Sequence, residues 1–262
     1  MGNRTLLQAE DIRVDFGGVR AVDGVSMHVN EREVLGLIGP NGSGKTTLFN
    51  VITGLCAAQS GRVLFSNSEI TGLPAYRIHA SGISRTFQTL RLFTNMTVLE
   101  NVMVALESEH RVTLVEALLH TSGMKAKVEA TSRAAYEALA FFGPRLVDWR
   151  HEPATSLSYA NRRRLEIARA MASRPKLLLL DEPAAGMNPR ETAEVVKQIR
   201  EIRESGITIF VIEHDMSLVM EVCDRIIVLD HGRVISEGPP TQIQADPAVL
   251  EAYLGTAPSR AD

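Results

Sequence analysis

Three short, continuous apolar segments stand out along the chain. They are Val34–Ile38 and residues 177–180 and 207–212, and each is followed by a polar or glycine-rich turn and then by helical sequence. Continuous rather than alternating apolar residues are typical of parallel strands buried on both faces. The repeated order of strand, turn and helix predicts an α/β fold with crossover helices on a parallel sheet.

Alternating apolar and polar residues predict further strands outside that core. Residues 7–16 and 25–29 indicate an antiparallel sheet at its edge. Residues 226–229 and 233–236 indicate a hairpin that turns around Asp230-His231-Gly232.

A change in apolar spacing and composition between residues 90 and 153 predicts a helical subdomain inserted into the sheet domain. Apolar residues recur at helical spacing in 114–119, and residues 125–142 are rich in Ala and Glu. The nucleotide-binding core would then consist of residues 1–89 and 154–238. After Pro239 and Pro240, residues 241–254 are expected to form one short terminal helix, within a final segment of 239–262.

Composition and charge exclude several classes of protein. The 262 residues carry a net charge of -3, so no basic field indicates nucleic acid as a partner. The two cysteines, Cys56 and Cys223, predict neither a disulfide framework nor a cysteine metal site. The charged N-terminus is unlike a signal peptide, and nowhere do 18 apolar residues run together. Any work at a membrane is therefore expected to be done by docking.

The motif Gly39-Pro40-Asn41-Gly42-Ser43-Gly44-Lys45-Thr46 directly follows the first apolar segment. Its spacing, G-x-x-x-x-G-K-[ST], is that of a loop whose backbone N–H groups surround a polyphosphate. Lys45 would reach the terminal phosphates, Thr46 would hold Mg²⁺, and the helix that begins here would add its positive end. The alternative is a chance glycine turn, but the order of strand, loop and helix favours the phosphate site. The candidate nucleotide-binding residues here are Gly39, Asn41, Gly42, Ser43, Gly44, Lys45, Thr46 and Thr47.

Two carboxylates, Asp181 and Glu182, come at the end of the second apolar segment. Asp181 would hold Mg²⁺ through water, and Glu182 could polarise an attacking water as a general base. The alternative is a solvated pair that caps the next helix; the phosphate loop favours the catalytic interpretation. His214 follows the third segment, and ligands gather at the carboxyl ends of strands in an open parallel sheet. His214 is therefore a candidate γ-phosphate contact, although a single histidine is more often structural.

Two further sites are weaker candidates. Gln88, where the helical insertion begins, could ligate Mg²⁺ or the attacking water, although most glutamines are surface residues. Ser158 precedes a helix, where it could simply cap the helix or could form a second anion-binding helix start. The run Arg162-Arg163-Arg164 that follows is expected to be a solvated helix face.

Taken together, these motifs resemble the ATP-binding cassette (ABC) family over essentially the whole chain. The phosphate loop is similar to that family's Walker A motif, and residues 177–182 are similar to its Walker B motif with the catalytic glutamate. Further matches are Gln88 to the Q-loop, residues 157–161 to the signature, 185–188 to the D-loop, His214 to the switch histidine and Phe16 to the aromatic that stacks on adenine. The resemblance implies a P-loop NTPase (RecA-like) mixed-sheet core with an antiparallel β subdomain and an inserted helical subdomain.

The resemblance also implies partners. ATP and Mg²⁺ would be sandwiched between the phosphate loop of one subunit and the signature, with Ser158 and Ala160, of a second. Closing on ATP would move membrane permease subunits on the cytoplasmic face of the inner (plasma) membrane. Their coupling helix would contact this chain near Leu90, Arg91, Leu92 and Phe93.

A finer resemblance is to the cassettes of branched-chain amino acid importers. It is carried by Arg85-Thr86-Phe87-Gln88, Glu182-Pro183-Ala184-Ala185-Gly186, Ile212-Glu213-His214-Asp215-Met216 and Glu251-Ala252-Tyr253-Leu254-Gly255. Importers of urea and other amides share much of this pattern. The chain departs from the family at Ala160, where the signature has a glycine that approaches the γ-phosphate. One of two ATP sites is therefore expected to be weaker, and the second cassette is expected to be a related, non-identical chain.

Two other functions compete with a transport ATPase. A soluble ABC-type ATPase acting on DNA or ribosomes would carry a long coiled coil or two cassettes, and this chain has neither. A regulatory subunit that binds ATP but scarcely hydrolyses it is suggested by Ala160. Glu182 and His214 argue against that hypothesis, because a purely regulatory site needs neither.

Overall fold

A computed structural model describes residues 4–106 and 122–254 of the chain. Within that part, unit 1 contains the chain up to Arg85 and from Lys176 onward, and unit 2 is Thr86–Pro175. Unit 2 contains the described part of the predicted insertion and extends through the helix that follows the signature. The helical spacing predicted for 114–119 lies outside the described residues.

The strands and helices follow one another in an order typical of α/β proteins. The described strands are β1 (Thr5–Phe16), β2 (Val19–Asn30), β3 (Val34–Ile38), β4 (Ser60–Phe65), β5 (Ser68–Glu69), β6 (Ile83–Arg85), β7 (Leu177–Asp181), β8 (Thr208–Ile212), β9 (Arg225–Asp230) and β10 (Arg233–Gly238). The described helices are α1 (Lys45–Ile52), α2 (Ala75–Ala80), α3 (Val98–Leu106), α4 (Ser122–Phe141), α5 (Pro144–Asp148), α6 (Tyr159–Ala172), α7 (Pro189–Glu204), α8 (Met216–Val222), α9 (Pro240–Ala245) and α10 (Pro247–Leu254).

Unit 1 holds a mixed sheet and an antiparallel sheet, both formed from described strands. The mixed sheet has the order β10-β9-β3-β8-β7-β6, in which only β10 pairs antiparallel with its neighbour. The antiparallel sheet has the order β2-β1-β4-β5. The predicted fold class is therefore confirmed, with β4, β5 and β6 as additional strands that the apolar pattern did not indicate.

Three adjacent strands of the mixed sheet, β3, β8 and β7, are buried at every position. This burial explains their continuous apolar sequence, since neither face of these strands meets water. Both neighbours of β8 run parallel to it: Leu37 pairs with Ile212, and Asp181 pairs with Ile212 on the other side. The residues that follow β3, β7 and β8 consequently emerge at the same edge of the sheet.

Residues 240–254 form two helices where a single helix was predicted. Helix α9 ends at Ala245 and α10 begins at Pro247, with Asp246 between them in an extended conformation. Proline at 247 disfavours a helical backbone at Asp246, since the pyrrolidine ring clashes with the preceding residue. Asp246 then caps the new helix by accepting a hydrogen bond from the Ala248 backbone N–H.

Unit 2 is helical throughout its described elements, with α3, α4 and α6 packed on one another. Helix α4 spans Ser122–Phe141 and confirms the helix predicted for residues 125–142. Its buried side chains include Leu139, and those of α3 and α6 include Val102 and Leu165. Across the described residues of both units, no helix is long and apolar enough to cross a bilayer.

Candidate nucleotide site

The phosphate loop lies between β3 and α1, and two of its glycines are required by their surroundings. Gly39 has φ 147° and Gly44 has φ 103°, both in the region that favours glycine. A Cβ at Gly39 would lie 2.0 Å from the Leu229 carbonyl oxygen, and one at Gly44 would lie 2.3 Å from that of Ala21. Gly44 also precedes the first turn of α1. The backbone N–H groups of this turn form the kind of concave donor surface that binds phosphate.

Lys45 lies across the loop. Its Nζ donates to the carbonyl oxygens of Gly39 at 2.7 Å and Pro40 at 2.8 Å. Burial lowers the pKa of Lys45, and the negative charges of Glu182 and Asp181 oppose that shift. An anion bound in the loop would favour the charged form of the same lysine. Thr46, on the exposed side, and the half-buried Thr47 follow in the first turn of α1.

Asp181 ends β7 and forms a buried ion pair that the sequence did not predict. Its Oδ2 accepts from Arg85 Nη2 at 2.8 Å, and the two side chains are 3% and 6% exposed. Arg85 also donates to Asn50 Oδ1 at 2.8 Å and to Thr53 Oγ1 at 3.1 Å, which ties the carboxylate to α1 and its C-terminal cap. The orientation of Asp181 is thus set by the same helix that carries Thr46. Arg85 was missed because its strand, β6, is only three residues long.

Glu182 follows Asp181 with φ 49°, a left-handed conformation that is uncommon outside glycine. Its backbone N–H donates to the Ile212 carbonyl oxygen at 2.9 Å, which extends the pairing of β7 with β8 by one residue. The Oε2 atom of Glu182 lies 3.9 Å from Nδ1 of His214, the exposed histidine beyond β8. The predicted convergence of Lys45, Asp181, Glu182 and His214 at one sheet edge is therefore present within unit 1.

Phe16 ends β1, at a turn formed by Gly17 and Gly18. Its ring is 54% exposed, although a phenylalanine at a strand end would by default be expected in the core. An exposed ring of this kind has a face available for stacking.

The C-terminal helix α10 forms one wall of a cavity beside the phosphate loop. The cavity has a volume of about 560 Å³ and is lined by residues that include Asn41, Ser43, Asp230 and Glu251. Burial raises the pKa of the Tyr253 hydroxyl on the same helix, and a hydrogen bond from the Gly39 backbone N–H opposes that shift. Contact between α10 and this loop was not predicted.

Gln88 and the signature belong to unit 2. Ser158 is the N-cap of α6 and accepts from the Asn161 backbone N–H at 3.4 Å, so its capping interpretation is confirmed. Ala160 is buried within the first turn of α6, in a helical rather than a left-handed conformation. Glycine is therefore not required at this position by backbone geometry.

The predicted solvated face of α6 is wrong at Arg163, which is fully buried. Its guanidinium donates to the carbonyl oxygens of Phe87 at 2.6 Å and Gln88 at 2.8 Å, and to Glu166 Oε2 at 2.9 Å. The other carboxylate oxygen of Glu166 accepts from the backbone N–H of Arg91 at 3.3 Å. A buried arginine needs such partners, and they come from a segment about 75 residues away that the local pattern of α6 does not reveal.

The segment predicted to contact a permease is partly exposed. Leu90 and Leu92 are half-buried, whereas Phe93 is 46% exposed. The guanidinium of Arg91 lies over the Phe87 ring, 4.0 Å from its centroid. The backbone of Phe93 is fixed by a hydrogen bond, since its N–H donates to Asn101 Oδ1 at 2.9 Å.

The mixed sheet, the glycine-rich loop before α1 and the acidic residues at the end of β7 define the class of P-loop nucleotide-binding proteins. Comparison with known proteins narrows this class. The ABC transporter family model matches residues 22–185, and the model described as branched-chain amino acid ATP-binding cassette transporter matches residues 233–258. The chain belongs to the ABC transporter family as an ATP-binding cassette, and it is an ATPase.

Individual relatives match over nearly the full chain. The high-affinity branched-chain amino acid transport ATP-binding protein LivG of Escherichia coli (strain K12) is 44% identical over 257 residues, which cover 97% of this chain and 100% of LivG. The corresponding protein BraF of Pseudomonas aeruginosa is 41% identical over 258 residues, with the same coverage of both chains. Among solved structures, the ADP conformation of MJ1267, an ATP-binding cassette of an ABC transporter, has a TM-score of 0.82 at 35% identity, covering 96% of this chain and 99% of that chain.

Proposed function

We propose that this chain is the ATP-hydrolysing subunit of an importer for branched-chain amino acids or a related small solute. The observation that supports the substrate class is the match of residues 233–258 to the branched-chain amino acid cassette model, together with 44% identity to LivG over 97% of this chain. The chain would work as a peripheral subunit on the cytoplasmic face of the plasma membrane, bound to permease subunits through the segment around Phe93.

In the proposed mechanism, the backbone N–H groups of residues 39–46 and the Lys45 ammonium hold the β- and γ-phosphates of ATP. Phe16 stacks on the adenine. Glu182 polarises a water molecule that attacks the γ-phosphorus, and the bond to the β,γ-bridging oxygen breaks to give ADP and phosphate. His214, 3.9 Å from Glu182, contacts the γ-phosphate. The closeness of the Lys45, Glu182 and Asp181 charges supports this assignment.

Magnesium fits the oxygen donors at this site. The Thr46 hydroxyl would hold it, and the Asp181 carboxylate would hold it through water. Mg²⁺ is characteristically bound by one or two protein oxygens together with substrate phosphates. Bound there, it would neutralise charge on the phosphates. Among the described residues no group of three or more His, Cys, Asp or Glu side chains forms a metal site, so the phosphates would complete the coordination.

A second cassette would complete each ATP site. Its signature would face the phosphate loop of this chain, and the Ser158 and Ala160 signature of this chain would face the partner's nucleotide. The partial positive charge at the N-terminus of α6 suits this interpretation, because the helix presents backbone N–H groups to an anion. We propose a related but non-identical partner, because Ala160 departs from the family's glycine.

Uptake in proteoliposomes tests the substrate class. The transporter is purified through a tag on this chain, reconstituted with its binding protein, and assayed with labelled leucine and labelled urea. ATP-dependent accumulation of leucine is expected, and it should be absent in the Lys45→Ala complex. Accumulation of urea without leucine would contradict branched-chain amino acids as the substrate and favour a related small solute. ATP hydrolysis without accumulation of either solute would contradict both of these substrate assignments.

A further inference from the structure

Glu213 is a fully buried carboxylate to which the mechanism above gives no role. It follows β8 immediately, and its side chain is 0% exposed. Burying an ionisable carboxyl group without partners is strongly unfavourable, so the hydrogen bonds of Glu213 indicate which groups it holds in place. The donors to Glu213 lie in two segments, the one that follows Glu182 and the one that begins at His214.

One carboxylate oxygen of Glu213 binds the chain that follows Glu182. Its Oε1 accepts from the Ala184 backbone N–H at 3.0 Å. Ala184 lies two residues beyond Glu182, whose own backbone N–H is bonded to the Ile212 carbonyl oxygen at 2.9 Å. The backbone N–H groups of Glu182 and Ala184 therefore both bind the end of β8 and the residue that follows it, which holds this segment in place. This arrangement supports the left-handed φ of 49° at Glu182, a conformation that requires its surroundings to maintain it.

The other oxygen binds the segment that carries His214. Its Oε2 accepts from the backbone N–H groups of His214 at 2.8 Å and Asp215 at 3.2 Å. Asp215 in turn accepts from the Ser217 and Leu218 backbone N–H groups and caps α8. The backbone of His214 is thus held by a buried carboxylate on one side and by a helix start on the other, although its ring is exposed.

The imidazole ring of His214 presents one nitrogen to two carboxylates. Nδ1 lies 3.4 Å from Oε2 of Glu213 and 3.9 Å from Oε2 of Glu182. A lone pair on Nδ1 would be repelled by these oxygens, whereas an N–H there is attracted, so the carboxylates favour a proton on Nδ1. Nε2 is then at the opposite edge of the ring, where it can meet a ligand.

We propose that Glu213 is a positioning residue for ATP hydrolysis. It holds the segments that carry Glu182 and His214 in a fixed position relative to each other. It also fixes the His214 ring with Nδ1–H toward the carboxylates. The inference rests on the role proposed above for His214. Glu213 itself touches no substrate; it acts through His214 and through the backbone beside Glu182.

A double-mutant cycle on the purified transporter complex tests the proposal. We expect E213Q to lower kcat by about 10-fold or more while the Kd for ATP changes by less than about threefold, since the phosphate loop is untouched. In the H214A background the same substitution is expected to lower kcat by less than about threefold, because residues that act through one another are not additive. An equal loss in both backgrounds, or full activity of E213Q, would overturn the proposal. If H214A alone has normal activity, the proposed role of His214 fails, and this inference fails with it.

A control separates positioning from simple loss of a buried carboxylate. Glu33 is buried in the same unit, where it accepts from the Asn30 backbone N–H at 2.7 Å and pairs with Arg225. E33Q is expected to lower Tm without changing kcat. A fall in kcat for E33Q as large as that for E213Q would show that any such loss impairs the enzyme, and the proposal would fail.

A second measurement needs no variant at Glu213. The ¹⁵N shifts of the His214 ring, assigned by comparison with H214A, report which nitrogen carries the proton. The wild-type chain is expected to show a protonated Nδ1. An unprotonated Nδ1 would overturn the proposal even if E213Q did not fold.

Discussion

At the residue scale, Glu182 combines a reactive position with an unusual backbone. A left-handed φ costs a residue other than glycine on the order of 1–3 kcal/mol, and it persists only where neighbouring structure enforces it. Here the enforcing contacts are the hydrogen bonds to Ile212 and, two residues further on, to Glu213. These two hydrogen bonds therefore hold the backbone from which the Glu182 carboxylate extends.

Replacing Glu182 by glutamine tests its proposed role as general base. Gln has the same shape, so the backbone and ATP binding should be retained, but an amide cannot accept the proton. We expect turnover to fall by about 10²-fold or more. ATPase rates and nucleotide titration measure the two effects separately. E204Q, at the exposed C-terminal end of α7, is the matched control. Normal turnover in E182Q would move the base role elsewhere, with His214 as the next candidate.

At the scale of elements, α6 anchors the segment that contains Gln88. The Arg163–Glu166 pair lies inside unit 2 and binds the backbone of residues 87, 88 and 91. Removing one partner of a buried ion pair leaves the other charge unpaired in a medium of low dielectric. The helix and the segment are therefore expected to lose order together.

Arg163→Met tests this coupling between α6 and the Gln88 segment. We expect unfolding free energy to fall by about 3–5 kcal/mol, because Glu166 is left buried without its cation. Chemical denaturation measures the loss, and hydrogen exchange at the Arg91 amide should become faster. R133M, on the exposed side of α4, should change neither quantity. Unchanged exchange at Arg91 would contradict the proposed anchoring.

At the scale of the whole molecule, docking on the permease is expected to depend on Phe93. Since Leu92 is half-buried, changing it would disturb packing, and Phe93 alone is the better probe. We expect F93D to lower coupled transport by about 10-fold or more, because exposed aromatic residues dominate binding surfaces. ATP binding by the isolated chain should be unchanged. Y136D, at a similarly exposed tyrosine on α4, is the control. Normal co-purification and transport in F93D would contradict the docking assignment.

The signature alanine predicts an asymmetry between two ATP sites. Since Ala160 is helical, we propose that the effect of its methyl group is to crowd the γ-phosphate of the partner's nucleotide. The isolated chain, which would use Ala160 at both sites, is therefore expected to be a poor ATPase. A160G should raise its rate by about threefold or more, equivalent to roughly 0.7 kcal/mol of barrier, and change the complete transporter less.

A matched variant distinguishes crowding from a general effect of glycine in α6. A168G, at a buried alanine on the same helix outside the signature, should lower Tm without raising the rate. Equal ATPase rates for the wild-type chain alone and for the complete transporter would show that no such asymmetry exists.

The sequence by itself determined the fold class, the buried strands and the phosphate loop. These features depend on residues that are close together in the sequence: continuous apolar runs, glycines spaced before a lysine, and carboxylates at the end of a strand. The predicted hairpin and the helix near 125–142 follow from the same short-range periodicity. Local sequence also contained the signal that was missed at the chain end, where Pro247 divides the terminal helix.

Only the tertiary structure decided which polar groups are buried and which partners they have. Arg85 looked like part of a motif, yet it holds Asp181, 96 residues away, and Arg163 looked solvated, yet it binds the backbone beside Gln88. Glu213 accepts from the Ala184 backbone N–H with one carboxylate oxygen and from that of His214 with the other. The physical reason is that a buried charge is tolerated only when distant segments supply its hydrogen bonds, and periodicity along the chain carries no information about those segments.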